Sequence, residues 1–334
     1  MEQVEGAGEE GPLVSAGETA QPQSRTPPRP QGERTKHHYV PVFYLQQWAR
    51  RADGKLCEFS RPYKTPVGQP DPPITSIPVK HRWVHPDGTG FIKHLYTFPG
   101  LTPKLRNWLE DEFFRRVDND AAQVMQRLLR GDTRFAQRDK SAWSRFLMSM
   151  FHRSPEGIQR VVRTININVM RIQEHEIRPE YERLRDEAGG GPSYEETIEQ
   201  LTDADYQQFH LQTLRTIIDS RRLGAVLNNM IWTVAPRQGV YPLFTSDRPI
   251  FMTALGRDDA RLVMPLTPDY LFLAAKTAPT LHVLERHILS GGFTELINNR
   301  VVRQARNFVY AFDDSRMPFL PNRLGDRQSW SPLE

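Results

Sequence analysis

Hardly an apolar side chain larger than valine occurs before residue 35, and the chain then turns abruptly apolar at Tyr39-Val40-Pro41-Val42-Phe43-Tyr44-Leu45. Residues 1–34 cannot bury enough surface to offset the entropy of ordering, and they lack the apolar core of a secretory signal, so a disordered tail is expected. Pro41 suits a first helical turn, where its missing N–H costs nothing. Tyr44, Leu45 and Trp48 recur at helical spacing, predicting a short buried helix over about 41–50. Lys55–Ser60 then reads as a strand after the Asp53-Gly54 turn, and residues 61–79, with six prolines and no period, as a loop. Two further strand-like runs, His81–Val84 and Phe91–Phe98, flank the turn Pro86-Asp87-Gly88.

The middle of the chain changes to helical period. Leu105, Leu109, Phe113, Val117, Val124 and Leu128 lay one apolar stripe along 103–130, which Gly131 ends. A second helix is expected over 137–152, with Trp143, Phe146, Leu147 and Met150 inward. Ser154-Pro155 marks the cap and first turn of a third, whose Ile158, Val162, Ile165, Val169 and Ile172 form a seam for another helix. Its continuation to Glu187 is highly charged and interrupted by Pro179, and Gly189-Gly190-Gly191 breaks the chain before a fourth helix over about 203–229.

Short β-type runs return at Ile231–Ala235, Leu243–Ser246, Arg261–Met264 and Tyr270–Ala275, followed by a helix over 293–306 and a last strand, Phe308–Phe312. This segregation predicts an α+β fold. A helical middle would pack on a mixed or antiparallel sheet formed mainly by the C-terminal third, with the N-terminal strands joining it. Residues 35–320 would then make one domain, and 321–334 a flexible tail.

Composition narrows the function classes. Six acidic and three basic residues in the first 34, within a chain of net charge +4, leave about +7 on the remainder. So mild a bias permits an anionic partner, nucleic acid included, without demanding one. Arginine outnumbers lysine 36 to 8; this suits phosphate contacts, and a GC-rich genome produces the same skew. The lone Cys57 excludes an internal disulfide and any multi-cysteine metal site. No 18-residue apolar run is present, which predicts a soluble, cytoplasmic protein without a membrane span. Walker, dinucleotide-binding, Gly-x-Ser-x-Gly and His-Glu-x-x-His patterns are all missing from the sequence.

The candidate chemistry lies at element ends. His37 and His38 sit on an extended lead-in to the first helix, so they point to opposite sides. One imidazole locks the lead-in over the core, or it serves catalysis or metal ligation. Asp247, at the end of a strand that Pro249 stops, is placed for metal binding or base work, and equally for a turn or an arginine partner. Glu110 stands apart from the solvated charges around it because Leu109 and Phe113 flank it in the apolar stripe. Arg153, ending an aromatic helix, and Arg303 and Arg306, on the outward face of the 293–306 helix, are candidates to hold an anion; a cation offsetting the helix dipole is the other reading of Arg153.

In order along the chain, His37-His38-Tyr39-Val40-Pro41 with Phe43-Tyr44-Leu45, Arg153-Ser154-Pro155, Thr245-Ser246-Asp247-Arg248-Pro249, Pro265-Leu266-Thr267-Pro268 and Asn298–Ala305 followed by Phe308-Val309-Tyr310-Ala311 resemble a bacterial domain-of-unknown-function family, number 4238. The resemblance covers about residues 35–315. It departs at Arg248, where the family pattern implies a smaller polar residue such as asparagine. It brings no activity with it.

Two functions are therefore expected in competition. One is metal-assisted hydrolysis of a phosphodiester or similar anionic substrate, with His37, His38, Asp247 and Glu110 catalytic and His37 and Asp247 on a divalent metal. The other is a non-catalytic module that binds nucleic acid or a partner protein.

Overall fold

The computed structural model describes residues 35–61, 73, 76–132, 134–172 and 177–326; within 164–172 only the backbone is described. The expected tail at 1–34, most of the proline-rich loop and the last eight residues lie outside the described residues.

The apolar entry segment forms as its pattern predicts. Strand β1 (Lys36–His38) leads through Pro41 into helix α1 (Val42–Leu45), which tightens to a 3₁₀ turn at Gln46–Trp48. Tyr44, Leu45 and Trp48 are all fully buried. Their polar ends reach distant parts of the chain, as buried hydroxyl and indole groups must. The Tyr44 hydroxyl donates to the Pro265 carbonyl at 2.8 Å and lies 2.6 Å from the Thr245 hydroxyl, while Trp48 Nε1 donates to the Leu243 carbonyl at 2.9 Å.

Strand β2 (Leu56–Ser60), β3 (Lys80–Val84), β6 (Thr245–Ser246) and β10 (Phe308–Ala311) make an antiparallel sheet in the order β3-β2-β10-β6. The N-terminal strands thus pair with the last strand of the chain. The single sheet expected is divided, however. β5 (Ile231–Pro236), β7 (Phe251–Met252), β8 (Arg261–Pro265) and β9 (Tyr270–Ala275) form a second antiparallel sheet, β5-β9-β8-β7, and β1 pairs with β4 (Phe91–Lys93) in a third. The division follows from alternation along β9. Phe272 and Ala274 face the core of the helical middle, whereas Leu271, Leu273 and Ala275 face a second core. Both faces of that strand are buried, as its unbroken apolar run implies.

The run Phe91–Phe98 is shorter than expected, because His94 takes a left-handed backbone (φ 58°) and the chain turns there. The expected continuous helix over 103–130 is broken into α2 (Pro103–Arg106), a π-helical turn at Leu109–Phe114 and α3 (Arg115–Leu129). The cause is a hydrogen bond from outside. Phe98 N–H donates to the Arg106 carbonyl at 2.9 Å, and the Glu110 N–H, which an α-helix would pair with that carbonyl, turns to the Asn107 carbonyl already taken by Asp111. α4 (Gln137–His152) forms as read, and α5 (Pro155–Ile172) starts where Ser154 Oγ accepts the Gly157 N–H at 3.0 Å. Val161 is buried on α5; the outer seam residues Ile165, Val169 and Ile172 lie outside the described side chains.

The single helix expected over 203–229 is two, α8 (Asp203–Ile218) and α9 (Arg221–Asn229), preceded by α6 (Arg178–Glu187) and α7 (Tyr194–Glu199). Ser220 restarts the helix by accepting the Leu223 N–H. α10 (Ala278–Leu289) was not expected; it packs beside α11 (Phe293–Gln304) on the second core. The fold is α+β. Among the described residues no helix is long and apolar enough to cross a membrane.

Candidate functional site

β1 carries its two histidines to opposite sides. His37 is fully buried; its Nδ1 accepts the Tyr96 N–H at 2.8 Å and its ring stacks on Tyr96 with centroids 5.4 Å apart. An accepting Nδ1 puts the proton of the neutral ring on Nε2. His38 is half-buried against the Phe91 ring, with Nε2 3.3 Å from the Asp87 carbonyl. Burial pushes its pKa down, and the nearby Arg153 charge adds to this, against the Asp87 carbonyl.

The backbone of His38 is gripped from two directions. Its carbonyl accepts from Arg153 Nη2 at 2.7 Å, and a backbone hydrogen bond at His38 goes to the Glu110 carboxyl. Arg153 is only 1% exposed. It chelates Asp118 with Nη1 at 2.7 Å and Nη2 at 3.2 Å, and its guanidinium lies 4.5 Å from the Phe114 ring centroid. Burial opposes its charge, but Asp118, Tyr96 and Glu110 together outweigh burial and raise the pKa further. The Tyr96 hydroxyl donates to the Arg153 carbonyl at 2.5 Å, closing a ring of contacts back to His37.

Glu110 is the least satisfied member. The π-helical turn sets it on the same stripe as Phe114 and Asp118, four and eight residues on. Its Oε2 is buried with no hydrogen-bond partner, and so is Nε of Arg153. Burial pushes the Glu110 carboxyl up to about 7, with Asp118 adding and Arg153 opposing. One orphan acceptor and one orphan donor in a single buried charge cluster are uncommon in folded proteins.

Asp247 has a different occupation. It is 3% exposed, and Oδ1 accepts the Arg306 N–H at 2.8 Å while Oδ2 accepts the Asn307 N–H at 2.7 Å and the Phe308 N–H at 3.4 Å. Its carboxylate therefore bolts the end of β6 to the start of β10. Burial raises its pKa to about 6 against the pull of those N–H groups. The turn expected of Asp247 is made by Ser246, whose Oγ accepts the Arg248 N–H at 3.1 Å. Tyr39 lies against this bolt and hydrogen-bonds the Asn307 side chain. Beside it, Glu156 in the first turn of α5 faces Arg248 at 3.6 Å and Arg306 at 3.5 Å.

Residues 36–315 match the family model described as "Protein of unknown function (DUF4238)". The chain belongs to the DUF4238 family. No curated protein and no solved structure matches it.

In this DUF4238 chain the separated motifs come together, but not as one catalytic pocket. His38, Glu110 and Arg153 share a cluster; Asp247 and Arg306 share a neighbouring one through Tyr39 and Glu156. Arg153, Arg303 and Arg306 do not converge on an anion. Each faces its own carboxylate: Asp118, Asp326 at 2.6 Å and Glu156. Arg306 also leaves the helical face expected for it, because α11 ends at Gln304. His37, read in the sequence as a metal partner of Asp247, accepts the Tyr96 N–H, and Asp247 accepts those of Arg306, Asn307 and Phe308. Among the described residues no group of three or more His, Cys, Asp or Glu could hold a metal ion. Sequence reasoning missed Asp118 and Tyr96. The i, i+4, i+8 spacing of Glu110, Phe114 and Asp118 was the available signal for Asp118; Tyr96 had none.

Proposed function

We propose that this protein is a hydrolase of an anionic substrate, a phosphodiester or close analogue, with Glu110 as its general base. The observation that carries the reading is the Glu110 carboxyl itself. It is half-buried, pushed up to about 7, and has one fully buried oxygen without a partner beside the guanidinium of Arg153. A base works best with a pKa near the operating pH. In the proposed reaction a water oxygen attacks phosphorus while Glu110 takes a proton from that water. The ester oxygen leaves, and Glu110 returns the proton to it, giving a monoester and an alcohol. Arg153, held rigid by Asp118, lowers the cost of the added negative charge. His38 positions both groups through its backbone. Hydrolysis of bis(p-nitrophenyl) phosphate, wild type beside Glu110→Gln and with or without added divalent cation, tests this.

A different observation favours binding without catalysis. Arg248 and Arg306 share Glu156, and Arg160 adds its charge near Arg248. Two guanidinium groups on one carboxylate, with a third charge close to one of them, favour an anion such as nucleic-acid phosphate. Binding that weakens steeply with salt is the test of this second reading.

A further inference from the structure

We propose that the cavity between β7–β8 and α10–α11 is a binding site for a small amphipathic carboxylate, a short acyl or aromatic acid. Nothing in the Glu110 cluster is involved, so the two readings stand or fall separately. The cavity has a volume of about 250 Å³. At roughly 30 Å³ for each water-sized group, it has room for about eight non-hydrogen atoms.

Its floor is apolar. Val263, Leu284, Phe293 and Ile297 line it, and all four are nearly buried. Its ionisable lining is basic throughout: Arg261 from β8, His287 from α10 and Arg300 from α11, with no Asp or Glu among the lining residues. Three separate elements thus each bring a basic side chain to one apolar hole. Asp259, which feels the Arg261 charge, is itself held by Arg257 at 2.7 and 3.1 Å. Arg300 reaches the cavity from α11 with its guanidinium 5.9 Å from the Phe251 ring centroid. Leu296, at the mouth, is 49% exposed, so apolar surface continues outward from the floor.

An apolar floor under a cationic rim selects a ligand with the opposite layout. A hydrocarbon or aryl body fills the hole, and its carboxylate meets the guanidinium groups, which match a carboxylate in geometry as well as charge. A neutral ligand of the same body gains only the apolar part. A cation of the same body is repelled.

The test is calorimetric titration of the full chain with hexanoate, hexan-1-ol and hexylamine. Wild type is compared with the double variant Arg261→Met/Arg300→Met, which keeps side-chain bulk at positions that are not core. Hexanoate is expected to bind at least about tenfold tighter than hexan-1-ol, equivalent to about 1.4 kcal/mol, and hexylamine not measurably. In the double variant hexanoate falls to the level of hexan-1-ol, whose own affinity stays unchanged. The wild-type comparison needs no variant and would alone overturn the proposal if the acid and the alcohol bound equally, or if hexanoate gave no saturable heat. A preference for hexanoate that survives in the double variant would remove the site from this cavity.

Discussion

Arg153 holds His38 by its backbone: Nη2 donates to the His38 carbonyl at 2.7 Å while the same guanidinium chelates Asp118. One buried cation thereby joins the end of α4, the first turn of α3 and the first strand of the fold. That strand in turn presents its N–H to Glu110. The geometry of the proposed base is set by this joint, and each consequence can be measured.

Removing the cation leaves a carboxylate without its partner. Arg153→Met is expected to cost about 3–5 kcal/mol of stability, the usual penalty for breaking a buried pair from one side. Arg153→Met/Asp118→Leu should recover a large part of it. Urea unfolding of the three proteins checks this. A single variant as stable as wild type would show that the pair contributes nothing.

Glu110 makes stability depend on pH with a definite sign. Its folded pKa, about 7, lies above the ordinary carboxyl value, so the unfolded chain gives up this proton first. The contribution is fully present below about pH 4 and is lost as pH rises toward about 7, by up to about 3 kcal/mol. Subtracting the Glu110→Gln curve from the wild-type curve isolates it. A flat difference between those limits contradicts the raised pKa.

Asp247 is a structural bolt, and its replacements should rank accordingly. Asp247→Asn keeps an acceptor but turns an amide N–H₂ toward a backbone donor, costing about 1–3 kcal/mol; Asp247→Ala orphans three N–H groups and costs more. In both variants the hydrolysis of the phosphodiester probe should stay within a few-fold of wild type wherever the protein is folded. Thermal unfolding and activity measured on the same samples separate stability from catalysis.

Gly90 is the hinge on which the histidine strand sits. Its carbonyl accepts the N–H groups of both Tyr39 and Val40, its φ is +64°, and a Cβ there would lie 2.9 Å from Val40 Cβ. Gly90→Ala combines left-handed strain with a clash and should cost more than about 1 kcal/mol. A neutral effect in denaturant melts would mean that the β1–β4 corner adjusts freely.

Much of this was legible in the chain. The α+β arrangement, the Ser154 cap, the return of the N-terminal strands to the last strand and the opposed histidines all follow from local pattern. Glu110 stood out because apolar neighbours flank it on a helix. What local pattern does not carry is contact between distant backbones. The Phe98 N–H that captures the Arg106 carbonyl and opens the π turn has no signature at either residue. Local pattern leaves the roles of Asp247 and His37 open for the same reason, since the N–H groups they accept lie 59 to 61 and 59 residues away. α10 is another matter. Leu281, Leu284 and Ile288 have helical spacing, and Pro279 near the start is an allowed first-turn residue that reads at first as a breaker.

Glu110 acts in this proposal as the base of a hydrolytic site. Initial rates of bis(p-nitrophenyl) phosphate hydrolysis from about pH 5 to 9 test it most directly, with Glu110→Gln shown folded beside wild type. The wild-type rate is expected to rise through about pH 7, and Glu110→Gln to lose about 100-fold. No turnover above background in wild type, or a rate that Glu110→Gln leaves unchanged, would contradict it.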